Sequence, residues 1–147
     1  MADAPIVLLL SGPNLTLLGA RQPLIYGTSS LADLVALAEA EAASHGLALE
    51  HIQSDAEADL VGAVHGARGR AAAIIVNAAA LTHYGWSLSD ALGTFEGPVV
   101  ELHISNPEAR EPWRRTSVVA PVATGTISGF GPHGYRLAVA AVAALLG

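Results

Sequence analysis

Short apolar runs alternate with amphipathic segments along the whole chain, and no two runs are joined by a hairpin signal. This regularity constrains the fold more than any other feature. Strands joined by helix-length connections pair in parallel, and the helices must cover the sheet. "PIVLLLS" is an apolar run closed by Gly12-Pro13, a buried strand. "SSLADLVALAEAEAASHG" reads as a helix, with Ser30 and Asp33 at capping-box spacing, an apolar stripe of Leu31, Leu34, Leu37 and Ala38, and a stop at Gly46. The series continues with strand "LALEHIQS", helix "AEADLVGAVHGARG", strand "AAAIIVN", the short helix "GWSLSDALGTF" and strand "PVVELHIS". A short helix around residues 107 to 115, a weak strand "TGTISG" and a last helix "GYRLAVAAVAALL" complete it. The expectation is an α/β fold spanning residues 1–147 as one catalytic domain, with a five-stranded parallel sheet and helices on both faces.

In such sheets ligands bind outside the carboxyl ends of the strands. Strand one ends at Ser11-Gly12, just before Asn14; strand three ends at Asn77, with Thr82-His83 beyond; strand four ends in Glu101-Leu102-His103-Ile104-Ser105-Asn106. The connection from residue 11 to residue 30 is long for a compact domain and carries Arg21 and Tyr26. Loops of that length are usually functional or disordered, so residues 15–28 read as a lid over the same edge. What chemistry is open there follows from what the chain lacks. It has neither cysteine nor lysine, which excludes disulfides, thiolate nucleophiles, Schiff bases and the Walker A lysine. A net charge of -6 argues against a nucleic-acid groove. With 52% hydrophobic and only 14% charged residues, part of the surface is expected to face another subunit. "MADAPIVLLL" has no basic n-region, and "LAVAAVAALL" falls short of the roughly 20 residues of a membrane span, so a cytoplasmic location is the expectation.

On a strand, Glu101 and His103 point to one face, where the carboxylate can orient the imidazole and favour its charged form. Ser105 or Asn106 suits an N-cap and Pro107 a first turn, whose free N–H groups make an anion seat. The plainer reading is a local hydrogen bond and a cap that only caps. Asn77 and His83 share the same edge, although a lone histidine near a helix start is more often a surface or capping group. Histidines 45, 51, 65 and 133 form no pattern, and no His-x-x-x-His occurs, which argues against zinc. Asp90 suits an exposed helix charge, an intersubunit partner or a group behind the site; Arg114 and Arg115 suit solvent, a subunit contact or a ligand. A tyrosine, with a free pKa of about 10, is a weak base near neutral pH, and an adjacent arginine favours its phenolate. Tyr26 with Arg21 fits that description, against the alternative of Arg21 in solvent and Tyr26 packed beneath the lid. "GFGPHG" matches G-x-G-x-x-G, but a dinucleotide fold needs a further strand and an acidic residue about 20 positions on. A tight strand-to-helix turn explains it better. No G-x-S-x-G nucleophile elbow occurs.

Taken in order, "SGPNLTLLGARQPLIYGTSSL", "NAAALTHYGWSLSDAL", "ELHISNPEAREPWRRTS" and "VATGTISGFGPHGYRLA" resemble the type II 3-dehydroquinate dehydratases. The resemblance implies a flavodoxin-like fold, a dodecamer built as a tetramer of trimers, and interconversion of 3-dehydroquinate and 3-dehydroshikimate through an enolate. It implies no cofactor, metal or Schiff base, and a place in shikimate biosynthesis or quinate breakdown. Residue by residue, Tyr26 is then the base at C2, Arg21 holds it as phenolate, and Asn14 holds a water on the enolate. His103, oriented by Glu101, protonates the leaving hydroxyl. Ile104 and Ser105 bind the carboxylate through their backbone, Asn77, His83 and Arg114 bind ring hydroxyls, and Asp90 contributes across a subunit boundary. The chain departs from the family pattern at Thr16, Gln22, Tyr84-Gly85-Trp86 and Ser89. Two other readings compete: a hydrolase or lyase of another small carboxylate using the same His-Glu pair, and a flavodoxin-like binding or regulatory module.

Overall fold

The computed structural model of the chain describes residues 3–20 and 22–147. Five strands, β1 (Ile6–Ser11), β2 (Ala48–Gln53), β3 (Ala73–Asn77), β4 (Val99–His103) and β5 (Gly125–Ser128), form one parallel sheet in the order β2-β1-β3-β4-β5. Between them lie α1 (Pro23–Tyr26), α2 (Leu31–Ser44), α3 (Glu57–Ala67) and α4 (Trp86–Gly93), and α5 (His133–Leu146) follows β5.

The period-two alternation of side chains divides the core into two layers. Val7 and Leu9 of β1, Ala73 and Ile75 of β3 and Val100 and Leu102 of β4 pack under α2 and α5. Their neighbours Leu8, Leu10, Ile74, Val76 and Val99 pack under α3 and α4. The central strands are therefore apolar at consecutive positions, as expected of strands covered on both faces. Strand β4 breaks that rule once: Glu101, on the α3/α4 side, is almost wholly buried. No described helix is long and apolar enough to cross a membrane.

Local sequence accounts for the helix ends. Ser30 accepts from the Asp33 N–H while the Asp33 carboxylate accepts from the Ser30 N–H, a complete capping box. The strand order reverses direction between β1 and β3, and the crevice there depends on Gly12. A Cβ at that position would sit 2.5 Å from the Ala78 carbonyl oxygen. In "GFGPHG", Gly129 and Gly131 both take positive φ and turn β5 into α5. One expected element changes: residues 107 to 115 form two 3-10 turns, Pro107–Ala109 and Pro112–Arg115, instead of one short helix. Pro112 disfavours helical backbone at the residue before it, and Glu111 is extended. The lid is likewise not all loop, since α1 and a 3-10 turn at Leu15–Leu17 lie within it.

Candidate active site

The carboxyl ends of β1, β3 and β4 and the lid enclose a cavity lined by Asn14, Tyr26, Asn77, His83, His103, Ile104, Ser105, Arg110 and Arg114, among others. Its volume, about 70 Å³, is small for a ligand site, and Tyr26 and Arg110 are part of its wall. A larger open depression of about 840 Å³ lies at the opposite ends of the strands, between Asp3–Ile6, Arg68–Ala72 and Thr94–Gly97. It has charged groups of its own in Asp3, Arg68, Arg70 and Glu96, but none of the expected site residues lines it, so volume is a poor guide to the chemistry. Among the described residues, no three His, Asp or Glu side chains gather as a metal-ligand set.

The β4 end is tightly bonded. His103 Nε2 lies 2.7 Å from Glu101 Oε2, as two residues on one strand face allow. Thr82 also donates to Glu101 Oε2, and the Ser117 hydroxyl donates to it at 2.8 Å. Ser117 in turn accepts from the N–H groups of Val119 and Ala120, which aims its proton at the carboxylate. Burial alone would push the Glu101 carboxyl up, but hydrogen bonds from His103, Thr82 and Ser117 outweigh it and hold the group below the usual carboxylate range. An ionised Glu101 only accepts, so the His103 Nε2 must carry the hydrogen. The ring orientation and tautomer thus follow from the carboxylate.

At the end of β3, Asn77 Oδ1 accepts from the Ala79 N–H and its Nδ2 donates to the Tyr135 hydroxyl at 3.2 Å. Burial pushes that hydroxyl up to about 12. Just beyond, His83 Nδ1 lies 2.6 Å from the Thr116 carbonyl, which can only accept. His83 therefore bears its proton on Nδ1. Burial, together with the nearby His103 and Arg114, lowers its affinity for a second proton, so Nε2 is left as an acceptor at the cavity.

On the lid, α1 carries Tyr26 inward while Leu24 is fully exposed. Arg110 donates to the Tyr26 hydroxyl at 2.8 Å, lies over its ring at 5.2 Å, and reaches Ser105 Oγ at 3.3 Å. Its Nε is buried with no hydrogen-bond partner among the described residues. Arg21, expected beside the tyrosine, lies outside the described residues.

Eight of the expected residues line the cavity: Asn14, Tyr26, Asn77, His83, His103, Ile104, Ser105 and Arg114. Glu101 stands behind His103. Asp90 does not line the cavity; it is exposed on α4. The expected cap belongs to Asn106, whose Oδ1 accepts from the Glu108 N–H. Sequence reasoning named Thr82 at this edge without linking it to Glu101, and missed Arg110 and Ser117. Arg110 follows Pro107 by three residues in "NPEAR", and its nearness to the helix-start signal was available as a hint. Thr82 and Ser117 reach Glu101 from 19 and 16 residues away, with no local pattern to mark them.

Residues 5–143 match the family model described as dehydroquinase class II. The chain is 46% identical over 142 residues to the 3-dehydroquinate dehydratase 2 of Pseudomonas putida, covering 97% of this chain and 95% of that protein. It is 51% identical over 133 residues to the 3-dehydroquinate dehydratase of Methylobacterium radiotolerans, covering 90% of this chain and 89% of that protein. The crystal structure of the type II dehydroquinase from Propionibacterium acnes superposes with a TM-score of 0.91 at 41% identity, covering 98% of each chain.

Proposed function

The chain belongs to the class II dehydroquinase family, hydro-lyases that dehydrate 3-dehydroquinate, and from that premise we propose that it does so by acid–base catalysis through an enolate, with no Schiff base and no metal. The observation that carries this reading is the pairing of two proton-handling groups across one cavity. Tyr26 is held by the Arg110 guanidinium on the lid, and His103 by the Glu101 carboxylate at the strand end.

Tyr26 as phenolate takes the C2 proton, and the C–H electrons move into an enolate at the C3 oxygen. Arg110 and Arg21 stabilise the phenolate, and Asn14 holds a water against the enolate oxygen. The enolate then reforms the carbonyl, the C1–O bond breaks, and the departing hydroxyl takes the Nδ1 proton of His103 in its imidazolium form, while the Nε2–H stays bonded to Glu101. Ile104 and Ser105 hold the carboxylate through backbone N–H groups. Asn77 and Arg114 donate to ring hydroxyls, and His83 Nε2 accepts from one. Asp90 acts from a neighbouring subunit of a dodecamer. The exposed Tyr84, Trp86, Phe130 and Leu146 support burial against other subunits.

The direct test adds 3-dehydroquinate and follows the enone absorbance of 3-dehydroshikimate. No absorbance change would overturn the activity. Activity surviving both a chelator and borohydride treatment supports the metal-free, imine-free route, and loss in either removes that part. A light-scattering mass of twelve subunits is expected, and a clean monomer would sink the assembly.

A further inference from the structure

Trp113 lies on the Pro112–Arg115 turn, half exposed, and does not line the cavity. Its ring nevertheless touches two groups that do. The His83 imidazole stands nearly perpendicular to it, with centroids 5.1 Å apart. The Arg114 guanidinium lies over its face, 4.1 Å from the centroid. Each of these groups has one further restraint: His83 is bonded to the Thr116 carbonyl, and Arg114 Nε is paired with Glu111. The Glu111 side chain is half exposed, so that ion pair alone holds a long side chain weakly. One hydrogen bond leaves the imidazole free to swing about its Nδ1.

We propose that Trp113 is a positioning residue for the substrate, an indole that holds His83 as acceptor and Arg114 as donor at the cavity for the ring hydroxyls. The proposal rests on the reading of His83 and Arg114 as hydroxyl-binding groups. An edge-on aromatic contact and a cation–π contact act on the same indole at once. They remove rotamers of both side chains before the ligand arrives, so the gain falls on binding and leaves the proton transfers at Tyr26 and His103 untouched. A residue that only supported the fold would act on denaturation temperature or assembly instead.

The test measures KM, kcat, melting temperature and subunit mass for Trp113→Ala and Trp113→Phe beside His83→Ala and Arg114→Ala. Trp113→Ala is expected to raise KM about tenfold, the combined size of one aromatic and one cation–π contact. Its kcat should stay within about threefold, with melting temperature and mass unchanged, because the ring does not face the reacting atoms. Trp113→Phe should recover most of the affinity, since a phenyl face still serves both contacts. Adding Arg114→Ala to Trp113→Ala should cost less than the product of the two single effects. An unchanged KM in Trp113→Ala overturns the proposal while leaving the reading of His83 and Arg114 intact. So does a KM rise that appears only with a lowered melting temperature or a changed mass. If His83→Ala and Arg114→Ala leave KM unchanged, the underlying reading fails and the proposal falls with it.

Discussion

His103 and Tyr26 meet the same cavity from supports of opposite kinds. His103 ends a central strand, and its carboxylate partner sits two residues away on the same face, almost wholly buried and bonded by two hydroxyls as well. Strand geometry alone brings that pair together. Tyr26 ends a four-residue helix on a connection whose outer face is exposed, and the arginine that touches it comes from 84 residues away. His103, the proposed acid, is thus built into the sheet, whereas Tyr26, the proposed base, is held where a lid meets a turn beyond β4. A buried, fully bonded group is held in one geometry. A base on a short exposed segment can leave to admit the ligand and return to close the site.

The comparison breaks most readily at the tyrosine. Tyr26→Phe deletes the atom proposed to take the proton, and the loss should approach the upper end of general-base effects, about 10⁴-fold. The melting temperature should hardly move. A variant that kept a tenth of its activity would show that Tyr26 is not the base. His103→Ala should cost about 10²–10³-fold in turnover while a product analogue still binds, because the groups proposed to hold the ligand remain. A loss below tenfold in folded protein would count against the histidine as the acid.

Arg110→Ala should cost less, about 10²-fold, and should recover in part as pH is raised, since hydroxide then does what the guanidinium no longer assists. Arg21→Ala should behave alike if both arginines serve the phenolate. Equal loss at every pH would make them groups that only hold the ligand. Tyr26→Phe has no such recovery.

The same contrast separates what was legible in the sequence from what was not. β4 was readable because its chemistry is local: alternation puts Glu101 and His103 on one face whatever surrounds them. The five strands, the Ser30 capping box and the "GFGPHG" turn were readable for the same reason. Arg110, Ser117 and the bond from Thr82 to Glu101 were not, because they arise through tertiary packing across loops, where no spacing rule applies. The two turns at residues 107 to 115 replaced one expected helix because Pro112 set the backbone of Glu111. Asn14 and Asn77 were placed at the cavity edge by the sheet rule and Arg114 by resemblance, and the roles of all three came from resemblance alone.

Glu101→Gln sharpens the rigid side of the comparison. The amide keeps the shape but gives up the charge that receives three donors, and its NH₂ confronts one of them. A loss of about 1–3 kcal/mol of stability is expected at neutral pH, along with slower turnover. The sign with pH follows from the lowered carboxyl. The folded group ionises below the unfolded one, so its contribution is complete above the ordinary carboxylate range and is lost as pH falls through the folded value. Wild type and Glu101→Gln should therefore converge in melting temperature in acid. Curves that stay parallel throughout would mean that the charge contributes nothing.

The smallest effect belongs to His83, partly exposed and midway between the two plans. Burial and the neighbouring positive charges lower its proton affinity in the folded protein, so the unfolded chain protonates first as pH falls. Stability from this group is thus unchanged above the ordinary imidazole range, near pH 6.5, and declines below it. The sharper reading is in binding. Neutral His83, with its proton held on Nδ1 by Thr116, is proposed to accept a ligand hydroxyl at Nε2; a second proton would turn that acceptor into a donor. KM should stay flat as pH is lowered past 6.5 or so and rise only a few-fold further down. In His83→Ala that rise should vanish, leaving a uniformly weaker KM. A wild-type KM that begins to rise above the ordinary imidazole range would mean that the folded protein does not hold His83 neutral, and the acceptor role would go with it.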